Sequence, residues 1–312
     1  KAKANRFDGF IGFSNDESGK LNFTGNLDLS LINILNTGEV FNLYWKSDNN
    51  KQVTFNASIE LPYIFKSPLG VRANLNIFKQ DSTFQNTKTA LDLGYYFNYN
   101  KKLFLGYQST ESSDIQNTNN ALIADFENTF LTATFEYKNY IEEPLFPEKT
   151  KFIFKTGFGE RISKLETNSQ TFFEINISHD LYLNKNNVIH LNSQNYYLKS
   201  SNYITNELFR FGGIQSIRGF NENSLQGNTF ASILTEYRYI LSPNLYVHSV
   251  LDYGFYEDST SKSDTKLLGL GFGIGIQSKN GLLNLIYANG STNNQEVKLA
   301  NSVVQIRFVT RF

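Results

Sequence analysis

Between residues 51 and 61 apolar and polar positions alternate: Val53, Phe55, Ala57, Ile59 and Leu61 fall on odd positions, and Gln52, Thr54, Asn56, Ser58 and Glu60 on even ones. A period of two places the two sets on opposite faces of a β-strand. The pattern returns at Leu69, Val71, Ala73, Leu75 and Ile77, at Leu91, Leu93, Tyr95 and Phe97, and at Phe173, Ile175, Ile177, Leu181 and Leu183. It returns again at Leu268, Leu270, Phe272, Ile274 and Ile276, where the opposite face is Gly269, Gly271, Gly273 and Gly275. Read along the chain, it predicts strands over 6–13, 20–31, 38–47, 51–61, 69–80, 86–97, 102–111 and 122–136. In the second half they fall at 149–160, 170–183, 188–200, 228–241, 244–256, 264–277, 281–290 and 300–311. These are about sixteen strands, most near the ~10 residues that cross a bilayer at a tilt. Links 98–101, 184–187 and Ser242-Pro243 are short, whereas 111–121, 161–169, 201–227 and 290–299 are longer and rich in Asn, Ser and Thr. The fold class that follows is all-β: one transmembrane antiparallel barrel over residues 1–312, with short turns on one side and longer loops on the other. A soluble sandwich is disfavoured because its strands usually run ~5–6 residues, and a solenoid because no fixed sequence period recurs.

Composition agrees. Aromatic residues make up 15% of the chain, with 28 Phe and 18 Tyr, and there are only five Pro. Such content suits strands better than packed helices. The 29 basic residues balance 29 acidic ones, and no dense Lys/Arg run is present, which argues against nucleic acid as a partner. Lys164, Lys185, Lys199 and Lys262 read as solvated rims near lipid headgroups. The absence of Cys removes disulfides and thiolate metal sites. No apolar run approaches the roughly 18 residues of a spanning helix, a test that a barrel passes by because only alternate residues face lipid. A chain that starts at Lys1 and contains no Met leads to the expectation of a processed segment with further sequence upstream.

The longest irregular stretch, Ser201 to Gly227, is too apolar to stay in solvent: it holds Leu208, Phe209, Phe211, Ile214, Ile217 and Phe220. Gly212, Gly213 and Gly219 allow it tight turns, so it is expected to fold against the inside of the barrel. Within it, Phe211-Gly212-Gly213 followed by Ser216-Ile217-Arg218-Gly219-Phe220 resembles the FGG and (V/I)RG(F/Y) signature of the BamA/TamA superfamily of outer-membrane barrels. In that family the signature lies between the eleventh and twelfth strands, where the strand count puts Arg218. Glu236 in ILTEYRY and Asp252 in VLDYG resemble the family's acidic positions on strands twelve and thirteen. Parity places both inward, Glu236 with Ser232 and Arg238, and Asp252 with Asn244, Tyr246 and His248. A lumenal salt bridge from Arg218 to Glu236, Asp252 or both is therefore expected, since a guanidinium fork engages carboxylates through paired hydrogen bonds.

The resemblance carries further expectations. Val304, Ile306, Phe308 and Phe312 share one face and resemble the terminal signal by which outer-membrane barrels are recognised for assembly. The short first strand, weakened by Gly9 and Gly12, and the last strand would form a lateral gate between residues 6–13 and 300–311. An edge opened there could capture a client strand by β-augmentation. Periplasmic POTRA domains would lie upstream and outside this chain. The implied setting is the bacterial outer membrane, and the implied partners are membrane lipids, client outer-membrane or secreted proteins, and periplasmic or lipoprotein accessory subunits. The function implied is assembly or translocation of proteins. A secretion barrel of a two-partner or patatin-fused system is the alternative, and a passive pore, against which the signature argues, is the second.

Candidate chemistry adds little. His179, His190 and His248 sit on different strands without metal-ligand spacing, so no metal is assigned. Gly271-Phe272-Gly273-Ile274-Gly275 copies part of a dinucleotide fingerprint but precedes no helix, and its glycine face is expected to leave room for the folded-in loop. No Gly-x-Ser-x-Gly occurs. No enzyme activity and no cofactor are expected.

Overall fold

The computed structural model describes residues 5–15, 21–47, 52–116, 122–164, 166–278, 281–293 and 302–311. Its strands are β1 (Arg6–Asn15), β2 (Leu21–Ile32), β3 (Val40–Ser47), β4 (Gln52–Leu61), β5 (Leu69–Gln80), β6 (Phe84–Asn98), β7 (Lys101–Asp114), β8 (Phe126–Tyr140) and β9 (Glu148–Ser163). They continue with β10 (Thr167–Tyr182), β11 (Asn187–Lys199), β12 (Phe209–Phe211), β13 (Leu225–Gly227), β14 (Thr229–Ser242), β15 (Leu245–Asp258), β16 (Ser263–Gln277), β17 (Gly281–Thr292) and β18 (Ser302–Arg311). Sixteen long strands close an antiparallel barrel in the order β1-β18-β17-β16-β15-β14-β11-β10-β9-β8-β7-β6-β5-β4-β3-β2, and β12 pairs with β13 in a separate ribbon. Among the described residues no helix is long and apolar enough to cross a membrane. The strands do so instead, because closure satisfies the backbone donors and acceptors that hydrocarbon cannot.

The two faces follow the sequence period. On β6, Leu91, Leu93, Tyr95 and Phe97 are exposed while Asp92 and Tyr96 are buried. On β15, Val247, Leu251 and Tyr253 are exposed while Tyr246, His248, Val250 and Asp252 are buried. The exposed apolar set has the alternation that a barrel turned toward lipid requires. In detergent the folded chain should therefore migrate faster on a gel than the boiled chain. Identical migration before and after boiling would contradict a closed barrel.

Several boundaries differ from the sequence reading. The structure runs β9 to Ser163 and starts β10 at Thr167, so strand takes up most of the long loop expected over 161–169. The Ser163 N–H and hydroxyl both donate to the Glu166 carbonyl at 3.0 Å. Strand β8 is shifted toward the C-terminus because Tyr137 to Tyr140 continue the ladder. The expected short side is not uniformly short either, since 33–39, 62–68 and 141–147 are all extended turns. In the first of these, the Glu39 carboxylate accepts from the Thr37 hydroxyl at 2.7 Å, from the Thr37 N–H at 3.1 Å and from the Leu35 N–H. These bonds, the Thr37 hydroxyl foremost, hold its pKa down at about 2. In the second, Tyr63, Phe65 and Lys66 all take positive φ, near 54–57°.

The chain packs as two compact units, Lys1–Ala133 with Gly157–Gln170 and Val309–Phe312, and Thr134–Thr156 with Thr171–Phe308. The inner face of the first carries local ion pairs. Arg72 binds Asp92 at 2.9 Å and lies 3.8 Å over the Phe104 ring, while Glu60 accepts from Lys102 at 2.6 Å and from the Tyr96 hydroxyl at 2.9 Å. The second unit contains the signature loop.

Candidate functional site: the lumenal loop and its cradle

The loop leaves β11 through a hydrogen-bonded corner. The Tyr203 hydroxyl donates to the Leu198 carbonyl at 3.1 Å and accepts from the Ser200 N–H at 3.2 Å, and burial raises its pKa. The Glu207 carboxylate caps the Ile204 N–H at 3.0 Å, starting a short 3-10 turn. Then β12 and β13 form a ribbon with Phe209 opposite Gly227 and Phe211 opposite Leu225. The sequence reading missed this ribbon, because three-residue strands are too short to show a period.

Aromatic packing fixes the ribbon to the wall. The Phe211 ring stacks on Phe230 of β14 at 4.0 Å between centroids and meets Tyr256 of β15 edge-on at 5.3 Å. Phe209 stacks on Tyr196 of β11 at 4.5 Å. Phe211, Ile217, Phe230, Leu234 and Leu267 form a buried core against which Phe220 packs. Each such side chain contributes about 1.5–3 kcal/mol by burial. Apolar contact brings the loop against the wall, and the buried polar contacts fasten it there.

Arg218 stands where the loop approaches β14 and β15. Its Nε donates to Asp252 Oδ2 at 2.8 Å, its Nη2 to Oδ1 at 2.5 Å, and its own backbone N–H to Oδ2 at 2.9 Å. The remaining nitrogen, Nη1, donates to Glu236 Oε1. Arg218 is 3% exposed and Asp252 0%. The fork is thus bidentate to one carboxylate and single to the other, with the charges paired out of water as burial requires.

Glu236 is shared. Its other oxygen accepts from Arg238 Nε at 2.7 Å, and Arg238 Nη1 continues to Asp180 of β10 at 3.2 Å. His190 of β11 closes the chain, with Nδ1 2.6 Å from Asp180 Oδ1, while His248 Nδ1 lies 3.9 Å from Glu236 Oε2. The sequence reading treated His190 and His248 as ordinary barrel residues and gave Arg238 only a face. The missing signal was register: His190 stands opposite Glu236 on one side and opposite Asp180 on the other. Among the described residues no cluster of His, Asp and Glu is arranged to hold a metal.

Glycines determine how close the loop can come. Gly219 has φ +88°, and a β-carbon there would lie 2.3 Å from the Gly290 nitrogen of β17. Gly212 and Gly213, at φ +107° and +98°, turn the chain back from the ribbon. The glycine face of β16 does not serve mainly to admit the loop. Gly269 does meet it, a β-carbon there reaching the Arg218 carbonyl at 2.4 Å. Gly273 and Gly275 instead receive the His248 and Tyr246 side chains from β15, and Gly271 faces the backbone of Tyr287 and Ala288 on β17. The glycines house the neighbouring strands before they house the loop. At the far side of the loop, Gln305 of β18 donates to the Phe220 carbonyl at 3.4 Å.

On β18, Val304, Ile306 and Phe308 are all exposed on one face; Phe312 lies outside the described residues. Among the described residues β1 pairs with β18 through Arg6–Arg311 and Phe7–Thr310, whereas it pairs with β2 from Arg6 through Asn15.

The Omp85 superfamily domain matches residues 33–312. No curated protein sequence matches the chain. Among solved structures it is similar to BamA from Haemophilus ducreyi lacking POTRA domains 1–3, with TM-score 0.65 and 17% identity over 100% of this chain and 71% of that one. It is also similar to CdiB from Acinetobacter baumannii, with TM-score 0.65 and 14% identity over 99% of this chain and 60% of that one. CdiB from Escherichia coli gives TM-score 0.64 and 13% identity over 99% and 62%. The chain thus spans about three-fifths of the length of the two CdiB chains.

Proposed function

Because this chain belongs to the Omp85 superfamily, whose barrels sit in the outer membrane and handle client proteins together with accessory subunits, we propose that it inserts client proteins at the β1–β18 seam. The observation that supports this is the edge of β1. Its described pairing with β18 involves Arg6 and Phe7, against a full ladder with β2. Backbone N–H and C=O groups on a strand edge that are not engaged by a neighbour recruit an incoming strand. The loop would hold the barrel shape while the seam opens, and Arg218, Glu236 and Asp252 would serve as its fastening. No catalytic step is needed.

The chain has no Cys of its own, so Phe7→Cys with Thr310→Cys, which are register partners, can lock the seam by one disulfide. In proteoliposomes the locked barrel should lose client insertion and regain it on reduction. Undiminished insertion by the fully locked barrel would contradict the seam reading. A second reading, an export barrel for a dedicated partner or a fused passenger, draws support from the polar inner wall of the first unit. There Asn42 binds Ser58 at 3.2 Å, Asn56 binds Asn76, and Asn74 reaches Asp92 at 3.5 Å. The same disulfide separates the two readings, since export through the interior would survive it.

A further inference from the structure

The turn 141–147, which joins β8 to β9, does not lie over the rim. Leu145 and Phe146 are buried, and they pack with Tyr246 of β15 and with Ile240 and Leu282. The Phe146 ring meets Tyr246 edge-on at 4.8 Å, and its carbonyl accepts from the Tyr182 hydroxyl at 3.4 Å. The Arg238 guanidinium stands 4.3 Å over the same ring. At their ends toward the loop 200–228, β11, β14 and β15 contact the ribbon through Tyr196, Phe230 and Tyr256. Tyr182, Ile240 and Tyr246 lie at the opposite ends of their strands. The turn thus enters from the end away from the loop. Between the two lies one chain of charges: Arg218, Glu236, Arg238 and Asp180.

We infer that the turn 141–147 is a strap that closes the far end of this part of the barrel and is fastened to the lumenal loop through Arg238. The argument rests on how Arg238 is divided. Its Nε serves Glu236, its Nη1 serves Asp180, and its central carbon stands 4.3 Å over the Phe146 ring. A guanidinium is rigid and planar, so these three contacts fix one orientation of the group. Removing the ring beneath it frees the plane to tilt. The Glu236 carboxylate then loses the geometry in which one oxygen faces Arg238 and the other faces Arg218. Lifting the strap therefore weakens the seat of the loop, and lifting the loop weakens the strap, as linkage requires of any such coupling. The aromatic and aliphatic side of the strap, Leu145 and Phe146, faces the wall, while Glu142 and Glu143 are exposed. An outside partner could thus grip the strap without entering the barrel.

Ser216 reports loop opening well. Its hydroxyl oxygen is buried with no hydrogen-bond partner among the described residues, so Ser216→Cys changes little and gives this Cys-free chain a single thiol. In detergent micelles, maleimide should label it slowly. Adding Phe146→Ala should speed labelling about tenfold, the order expected from losing a desolvated cation–π contact that holds the seat. Arg238→Gln should do the same, and the double variant should label little faster than Arg238→Gln alone. Heat-shifted migration on gels certifies that each variant is folded, and Phe146→Leu, which keeps the bulk and removes the ring, replaces Phe146→Ala if that variant fails this check. Labelling of Ser216→Cys unaffected by the Phe146 substitution would overturn the coupling, as would two effects that multiply as independent events.

Discussion

Arg218→Ala is expected to release the lumenal loop and to destabilise the folded barrel by about 3–5 kcal/mol, the scale of breaking one partner out of a buried ion pair. The cost falls unevenly on the two acids. Glu236 keeps Arg238 at 2.7 Å. Asp252 is 0% exposed and receives three donors, all from Arg218, so it loses both charged hydrogen bonds to the side chain and, once the loop lifts, the backbone one. A ranking follows: Arg218→Ala should be worst, Asp252→Ala next, and Glu236→Gln mildest, because Arg218 then retains its bidentate partner. Arg218→Lys should recover part of the loss, since an ammonium supplies charge but not the two-pronged geometry. Urea unfolding in detergent, followed by gel migration, gives the order directly. Equal stability for Arg218→Ala and the unsubstituted chain would mean that the ion pairs do not hold the loop.

The second large effect is expected from Gly219→Ala, which changes no charge. A left-handed φ of +88° is already costly for an L-residue, by about 1–2 kcal/mol. The added β-carbon would also lie 2.3 Å from the nitrogen of Gly290 and 2.5 Å from the carbonyl carbon of Asn289. Both are backbone atoms of a paired strand and cannot step aside, so the loop must lift and take Arg218 with it. Gly254→Ala is the matched control. The nearest atoms its β-carbon would meet are the Ile217 Cδ1 at 2.9 Å and Leu267 side-chain atoms at 3.5 Å, and the tip of an isoleucine can rotate away. Thiol labelling at Ser216→Cys should rise strongly in the first variant and modestly in the second. The reverse order would show that the loop does not approach β17 this closely.

What the sequence makes legible follows from periodicity. Alternation over β4, β5, β6, β10 and β16 is enough to predict strands, their two faces and the barrel class. The inward parity of Glu236 and Asp252 needs only counting along β14 and β15. Parity does not say which residues on neighbouring strands stand side by side. The step from Glu236 through Arg238 to Asp180 spans β14, β11 and β10, and it depends on two registers that no local pattern encodes. The turn 141–147 was hidden for a different reason: Glu-Glu-Pro reads as a solvated link, and burial of the next two residues is decided by the Tyr246 and Arg238 side chains waiting inside. The link expected over 161–169 reads as too long because Ser, Asn and Thr near a strand end look alike whether they pair or not. The roles of β16 glycines turn on the size of side chains across the ladder, since His248 and Tyr246 lean over Gly273 and Gly275.

The most direct test of the account is an experimentally determined structure of the barrel in a lipid nanodisc. The account predicts Arg218 bonded to both Asp252 oxygens and to Glu236, Gly219 against Gly290, and a β1–β18 ladder confined to the end marked by Arg6–Arg311 and Phe7–Thr310. A loop lying outside the barrel, or β1 and β18 zipped together along their whole length, would contradict it.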